Sequence, residues 1–243
     1  MKLKTEVLND LLEFDNLKIY QNTNTFNFSL DTVLLAKFVS IKKNTKTIMD
    51  IGTGNAPIPL ILSRRTEARI IGIEIQKELV ELAIKSIKKN KLEKQIEIIN
   101  ADVVEEYKKI ESDTINTITC NPPFFKITEG SRKNESEFKT IARHELFLDI
   151  EKVLLIAKKL LVNGGNIAIV HRPERLVEII TKMKENNLEP KKLQLIYPFK
   201  GENAHILLIE GCKNGKPGLK ILDPLYVHEK DGSYTKEVKE YFR

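Results

Sequence analysis

From Lys46 onward the sequence alternates between short apolar runs and longer amphipathic runs. The apolar runs predict strands over residues 47–51, 69–74, 96–99, 115–120, 166–170, 192–197 and 204–210. The amphipathic runs predict helices over residues 57–65, 76–89, 150–161 and 174–186. Strands that alternate with helices form a doubly wound sheet, because each helical crossover returns the chain parallel to the preceding strand. The last two strands are joined by a short polar link and are therefore expected to be antiparallel. The sequence thus predicts an α/β fold with a mostly parallel seven-stranded sheet and an antiparallel pair at one edge.

Two segments flank this alternating region. The predicted parts are an amino-terminal flap with a covering helix, a core, and a carboxyl-terminal extension packed on the core: residues 1–46, 47–211 and 212–243. Within the core, the polar stretch 126–145 has no clear periodicity. A loop of that length in a compact domain is usually a lid or a mobile binding segment.

The amino-terminal part contains turn residues between two extended patterns. Residues 17–21 and 25–28 are predicted to pair as a hairpin. A helix is expected to begin near Thr32, with Ser29 or Asp31 as its capping residue. This segment is too short to form a separate recognition domain.

Composition and charge narrow the class of protein. The 243 residues carry a formal net charge of +6, which is compatible with a polyanionic partner but is weak support for one. Cys120 and Cys212 each end an apolar run and are expected to be free thiols in a reducing compartment. No zinc-ligand spacing, signal-peptide core or membrane-length apolar run occurs in the sequence. We therefore expect a cytoplasmic protein without a metal site or a membrane partner.

A glycine turn follows the first predicted strand of the core. Gly52 and Gly54 allow the backbone to approach a ligand closely, and the helix that follows can receive an anionic group. A dinucleotide site would place a third small residue where Pro57 stands, but the small residue comes one position early, at Ala56. The nicotinamide interpretation is weakened accordingly, and S-adenosylmethionine, which has no phosphate, is the competing cofactor.

Acidic residues stand at the ends of three consecutive strands. Glu74 lies about 20 residues beyond the glycines, which is the position that accepts ribose hydroxyls. Asp102 follows the next strand, where it would meet the adenine edge, and Asp50 is placed to hold the ammonium of the methionine directly or through water. Each carboxylate alone is more readily explained as a solvated surface group. Their succession at strand ends is the more specific signal.

A short motif, Asn121-Pro122-Pro123-Phe124, ends the fourth strand of the core. Each proline fixes its own φ near −65° and keeps the residue before it extended, so the backbone here is stiff. The Asn121 side-chain oxygen and the Pro122 carbonyl provide two acceptors, and Phe124 offers a face for a flat ring. The motif therefore suits a planar group with an exocyclic NH2, although a simple strand exit with turn residues is the alternative.

Together these motifs resemble the class I S-adenosylmethionine-dependent methyltransferases, within them the group marked by Asn-Pro-Pro-(Phe/Tyr). Residues 26–36, 171–176 and 211–219 are similar to segments of the bacterial tRNA1(Val) adenine-N6 methyltransferases, with Ala56-Pro57 as a small departure in the glycine turn. The resemblance implies a tRNA-modifying enzyme. Its implied catalytic residues are Asn121, Pro122, Pro123 and Phe124. Its implied cofactor-binding residues are Asp50, Gly52, Gly54, Glu74, Ile75, Asp102, Val103 and Asn121.

The substrate is less strongly indicated than the cofactor. The candidate phosphate contacts to RNA are Arg132, Lys133, Lys139, Arg143, Lys213, Lys216 and Lys220, although ordinary solvated charge explains each one equally well. Other planar nitrogens compete with a tRNA adenine: a guanine N2 in ribosomal RNA, a release-factor glutamine, or a DNA adenine. The glutamine alternative is weakened because only about 46 residues precede the glycine motif. An RNA-binding module without catalysis is the alternative from another class.

Overall fold

A computed structural model describes residues 6–11, 16–22, 29–122 and 149–242. The strands are β1 (Glu6–Asp10), β2 (Lys18–Asn22), β3 (Thr47–Ile51), β4 (Arg69–Glu74), β5 (Ile96–Asn100), β6 (Ile115–Cys120), β7 (Leu161–His171), β8 (Leu188–Tyr197), β9 (Ile206–Lys213), β10 (Lys220–Ile221) and β11 (Leu225–Tyr226). The helices are α1 (Leu30–Phe38), α2 (Pro57–Leu62), α3 (Lys77–Lys89), α4 (Val103–Glu106), α5 (Ile150–Leu160), α6 (Leu176–Glu185) and α7 (Lys236–Tyr241). A short 3-10 turn, Pro173–Arg175, precedes α6.

The central sheet has the strand order β10-β8-β9-β7-β6-β3-β4-β5, and β11 also pairs with β8. Strands β7, β6, β3, β4 and β5 are mutually parallel, whereas β9 is antiparallel to both β7 and β8. The predicted α/β class and mostly parallel sheet are therefore confirmed. The sheet has nine strands instead of seven, because the two-residue strands β10 and β11 add to β8 beyond the predicted antiparallel pair.

The order of strands reverses at β3. The chain runs from β3 through β4 to β5 on one side, then returns to place β6 on the other side of β3. In open α/β sheets, ligands bind outside the carboxyl ends of the strands at such a reversal. The topology therefore places a candidate site where β3 and β6 end.

Both faces of the sheet are covered by helices. One apolar cluster joins the sheet to α1, α2 and α3, with Leu34, Leu60 and Ile87 among its buried side chains. The other joins the sheet to α5 and α6, with Leu154 and Ile179 buried. Strands that are buried on both faces are expected to consist almost entirely of apolar residues. This is why the core strands could be predicted from apolar runs in the sequence.

The amino-terminal strands differ from the predicted hairpin. β2 pairs antiparallel with β1, so Glu6–Asp10 is the observed partner of the extended residues near 17–21. The predicted strand 25–28 lies outside the described residues. Ser29, one of the two predicted capping residues, occupies the N-cap position of α1, but its side chain makes no capping hydrogen bond.

Strand β7 begins at Leu161, ahead of the predicted strand 166–170, and therefore includes Gly164 and Gly165. α5 ends at Leu160 and the chain passes directly into β7, so both glycines lie within a strand. Gly164 has φ +78°, and a Cβ at Gly165 would approach the carbonyl oxygens of Asn116 and Val162 to 2.9 Å each. The pairing of β6 with β7 shifts register beside them, so the glycines accommodate a bulge.

Replacing Gly165 with alanine is expected to lower the free energy of unfolding by about 1–3 kcal/mol, because backbone atoms on two sides must move to admit the methyl group. Urea unfolding monitored by circular dichroism measures this change. The control is Asn163→Ala, at an exposed position two residues away, which should change stability by no more than about 0.5 kcal/mol. Equal stability of the two variants would contradict the close approach at Gly165.

Candidate active site

The register of three neighbouring strands brings the predicted site residues to one edge of the sheet. Ile51 pairs with Ile73 on one side and with Cys120 on the other. The residues that come next in each strand, Gly52, Glu74 and Asn121, therefore lie side by side. Because adjacent strands are about 4.8 Å apart, the three positions span only about 10 Å.

The glycine turn is built around the Glu74 carboxylate. Gly54 N–H donates to Glu74 Oε2 at 2.9 Å, and Gln76 N–H donates to Glu74 Oε1 at 2.8 Å. Glu74 is buried, and each of its oxygens keeps lone pairs beyond the one used. Two backbone donors thus fix the orientation of a carboxylate that can accept further hydrogen bonds.

The same turn uses left-handed backbone conformations at alternate residues. Gly52, Gly54 and Ala56 have φ values of +68°, +59° and +68°. Glycine adopts this conformation freely, whereas alanine does so at a cost of roughly 1–2 kcal/mol. The departure noted at Ala56 is therefore a position of backbone strain at the start of α2.

Asp50 lies beneath the turn and is fully buried. Its Oδ1 accepts a hydrogen bond from Thr119 Oγ1 at 2.6 Å, whereas Oδ2 has no partner in the described structure. Burial raises the pKa of Asp50 to about 7, against the opposing effect of the Thr119 hydroxyl. The Thr53 hydroxyl also lowers this pKa, and its oxygen, like Asp50 Oδ2, is buried without a hydrogen bond of good geometry. Two such polar atoms therefore lie together at the glycine turn.

Gly72 makes room for this arrangement. It pairs with Asp50 in the adjacent strand, and a Cβ there would come within 2.8 Å of the Thr53 methyl group and 2.9 Å of its hydroxyl. A glycine inside a strand often marks such a close approach. The sequence shows a glycine inside the predicted strand 69–74, but it does not show that Thr53 is the residue that approaches Gly72.

The residues predicted to meet an adenine ring occupy the next strand ends. Asp102 caps α4, its Oδ1 accepting the Val104 N–H at 2.8 Å. Val103 is buried, but Ile75 is an apolar side chain with 42% of its surface exposed. An exposed isoleucine beside a fixed carboxylate provides a flat apolar surface at the edge of the sheet.

Asn121 is held by a residue that the sequence did not indicate. Its Nδ2 donates to Thr32 Oγ1 at 3.1 Å, and Thr32 is buried near the start of α1. Pro122 is also buried. Pro123 and Phe124 lie outside the described residues, and their predicted roles stay predictions.

The sequence did not indicate two further polar residues of this region, Gln21 in β2 and Asn55 in the glycine turn. Gln21 is buried at the end of β2, and its Nε2 has no partner. Asn55 donates from Nδ2 to the carbonyl oxygen of Tyr20 at 2.9 Å. The β1–β2 hairpin is therefore attached directly to the glycine turn.

The candidate phosphate contacts separate into three groups. Lys213 Nζ donates to Asp113 Oδ1 at 2.7 Å and to the Leu161 carbonyl at 2.8 Å, at the amino-terminal edge of the parallel strands. This ammonium group is therefore paired on the edge opposite Asn121, and its predicted RNA contact stays a prediction. Lys216 and Lys220 are exposed. The remaining candidates, Arg132, Lys133, Lys139 and Arg143, lie outside the described residues.

The described ranges contain neither a metal-binding cluster nor a membrane-spanning helix. No group of three or more His, Cys, Asp or Glu residues there is placed to hold a metal ion. None of the helices described is both long and apolar enough to cross a membrane. The one constellation that stands out is the edge formed by Gly52, Glu74 and Asn121.

This fold and site define a methyltransferase. The family described as "Methyltransferase domain" matches residues 42–223, and the chain belongs to that family. Among curated relatives, the tRNA1(Val) (adenine(37)-N6)-methyltransferase of Phocaeicola vulgatus is 29% identical, over 97% of this chain and 84% of the relative. The enzyme of the same name from Parabacteroides distasonis is 28% identical, over 83% of each chain. The resemblance stated from the motifs is confirmed.

Solved structures share the fold. A predicted O-methyltransferase from Agrobacterium tumefaciens, protein Atu636, has a TM-score of 0.68 and 23% identity, over 87% of this chain and 95% of that one. TYW2 of Pyrococcus horikoshii, solved in complex with MeSAdo, has a TM-score of 0.57 and 16% identity, over 87% of this chain and 73% of that one. Both likenesses concern the architecture alone.

The raised pKa of Asp50 predicts a pH-dependent stability. A carboxyl group whose pKa is higher in the folded state stabilises the fold at low pH, and that contribution is lost as pH rises toward about 7. Asp50→Asn should remove this loss. The stability of the variant relative to the wild type should therefore increase by up to about 1.4 kcal/mol per pH unit between about pH 5 and 6.5.

Urea unfolding of the ligand-free protein at several pH values measures this difference. Asp223→Asn, at an exposed position, controls for the loss of one carboxylate. If the Asp50→Asn and wild-type stabilities stay parallel across this range, Asp50 is not the group that titrates.

Proposed function

We propose that this chain is a cytoplasmic S-adenosylmethionine-dependent methyltransferase that modifies N6 of the adenine 3′ of the anticodon in tRNA1(Val). The observation that carries the proposal is the Asn121 amide, anchored by Thr32 at the end of β6 and directly beside the glycine turn. Relatives named tRNA1(Val) (adenine(37)-N6)-methyltransferase, each aligned with most of this chain, support the choice of substrate.

The unpaired atoms of the site fit the amino-acid end of the cofactor. The buried Asp50 Oδ2 is an acceptor for an ammonium group, and the Thr53 hydroxyl is available to a polar partner. Glu74, already oriented by two backbone donors, would accept the two ribose hydroxyls. Binding of an ammonium group would also favour the ionised form of Asp50, since an opposite charge lowers a carboxyl pKa.

The base of the cofactor would lie beyond Glu74. Ile75 presents an exposed apolar surface for one face of the adenine, and Val103 and Asp102 would border it, the latter at the polar edge. When bound, S-adenosylmethionine supplies a methyl group activated by its sulfonium. The protein's own contribution to the reaction is to position the cofactor and the substrate.

The N6 nitrogen of adenine is a poor nucleophile because its lone pair is delocalised into the ring. Asn121 Oδ1 and the Pro122 carbonyl would accept the two amino hydrogens and favour a more tetrahedral nitrogen. The freed lone pair would then point toward the methyl group for in-line displacement, and the proton would leave after transfer. Preorganised acceptors and orientation supply the catalysis, so no strong base is required.

An anticodon loop is a favourable substrate for such a site. A base that sits in a duplex must be flipped out at a cost of a few kcal/mol, and the cost is smallest for an unpaired base. Sequence-specific RNA readers accordingly favour single-stranded loops. We retain Phe124 as the proposed stacking surface for the base. The proposed phosphate contacts are Arg132, Lys133, Lys139, Arg143, Lys213, Lys216 and Lys220. We also propose that the chain divides into three parts: the amino-terminal flap with its covering helix (residues 1–46), the methyltransferase core (47–211) and the carboxyl-terminal extension (212–243).

Asn121→Ala is expected to lower the single-turnover rate of methyl transfer by about 10² to 10³, because one preorganised acceptor for the amino group is lost. The measurement uses saturating cofactor and RNA. Cys120→Ser, the neighbouring position of the same strand, tests whether any change at the strand end has this effect. Near wild-type turnover of Asn121→Ala would remove Asn121 from catalysis.

The substrate is tested with transcripts of tRNA1(Val) and labelled S-adenosylmethionine. The transcript with adenine 37 should accept one methyl group, recovered as N6-methyladenosine, and a transcript with guanine 37 should accept none, since it lacks the N6 amine. Total RNA from cells that lack this protein, ribosomal RNA, adenine-containing DNA and a release factor serve as competing substrates. Preferred methylation of any of the last three would overturn the proposed function.

A further inference from the structure

We propose that Thr32 is a positioning residue that holds the Asn121 amide in the orientation that leaves its oxygen for the substrate. The inference rests on the proposed function, since it concerns the same site. Asn121 and Thr32 are 89 residues apart in the sequence, yet Nδ2 of the first donates to Oγ1 of the second at 3.1 Å. Thr32 is 5% exposed, so its hydroxyl is removed from competition with bulk water.

The two ends of an amide have nearly the same size but opposite hydrogen-bonding character. Rotation of the Asn121 side chain by a half-turn would exchange its oxygen, an acceptor, for its NH2 group, a donor. An amino group on the substrate is itself a donor and requires the oxygen. In the observed orientation Thr32 accepts the Nδ2 hydrogen and Oδ1 is left for the substrate. Because a threonine hydroxyl can also donate, the hydrogen bond holds the amide in place but does not alone exclude the rotated orientation.

The hydroxyl can hold the amide in place because α1 is fixed along its length. Leu34 and Leu35 are completely buried in the core. At the carboxyl end of the helix, Arg65 donates to the carbonyls of Ala36 and Val39, and Lys192 donates to the carbonyl of Phe38. These contacts satisfy carbonyls that the helix leaves free and resist sliding of α1 along its axis. A rigid helix therefore carries the group that orients the amide.

The first test compares Thr32→Val, which keeps the shape but removes the hydroxyl, with Thr32→Ser, which keeps the hydroxyl. Thr32→Val is expected to lower kcat by about 10- to 100-fold, less than the loss expected when the whole amide is removed. The KM for tRNA and the Kd for S-adenosylhomocysteine should change by no more than about twofold. The reason is that the hydroxyl orients the amide and does not itself bind either molecule. Thr32→Ser should recover most of the rate.

The control is Thr181→Val, which removes a threonine hydroxyl bonded within α6 at an exposed position. It should leave every one of these quantities unchanged. A loss of cofactor affinity in Thr32→Val as large as its loss of kcat would overturn the inference, since it would mean that the hydroxyl serves the cofactor. Equal rates for Thr32→Val and Thr32→Ser would overturn it as well.

A double variant tests whether the hydroxyl acts through Asn121. If it does, adding Thr32→Val to Asn121→Ala should cause no further loss of kcat, because the group being oriented is already gone. Multiplication of the two losses would show that Thr32 acts independently of the amide.

A measurement without any substrate separates this inference from the proposed function. In protein labelled with 15N-asparagine, the Asn121 side-chain signals are assigned by their absence in Asn121→Ala. Thr32→Val should speed hydrogen exchange of the Asn121 amide about tenfold or more, since its hydrogen bond is lost. Unchanged exchange would overturn the inference even in an active enzyme. If no tRNA adenine is methylated but exchange responds as expected, only the proposed function fails.

Discussion

The pairing of β3 with β6 is the constraint on which the rest of the site depends. This pair lies where the strand order reverses, and its register sets Gly52 beside Asn121. Side chains alternate between the faces of a sheet, so a slip of one residue would turn Asn121 to the opposite face and separate it from Thr32. The apolar side chains Ile118 and Cys120, both fully buried, hold β6 in the observed register.

The site also retains polar atoms that the fold itself does not satisfy. An unpaired buried polar atom costs roughly 1–3 kcal/mol, and the described part of the molecule concentrates such atoms on Asp50, Thr53 and Gln21. Asp50 avoids part of this cost because its carboxyl group stays protonated, and therefore uncharged, up to a pH of about 7. A ligand that supplies the missing partners would recover stability as well as bind. Local instability and ligand affinity therefore have the same origin.

The sequence predicted those features that depend on local pattern. Continuous apolar runs identified all seven long strands of the central sheet, and the acids and Asn121 were found because they stand at strand ends. Features set by distant contacts were not predictable. The bulge at Gly164 and Gly165 depends on the neighbouring strand, and the pairing of Lys213 with Asp113 joins residues 100 positions apart. Thr32 looked like an ordinary helix residue until the fold placed it against Asn121.

The amino-terminal segment covers the sheet with α1 and also contacts the residues of the candidate site. Its hairpin is bound at Tyr20, whose N–H donates to Ser86 on α3 and whose carbonyl accepts from Asn55 in the glycine turn, each at 2.9 Å. The helix that follows supplies Thr32 to Asn121. One segment thus contacts the turn on one side and the amide on the other. Movement of this segment would alter the glycine turn and the Asn121 amide at once, so the proposed cofactor and substrate subsites would share one structural support.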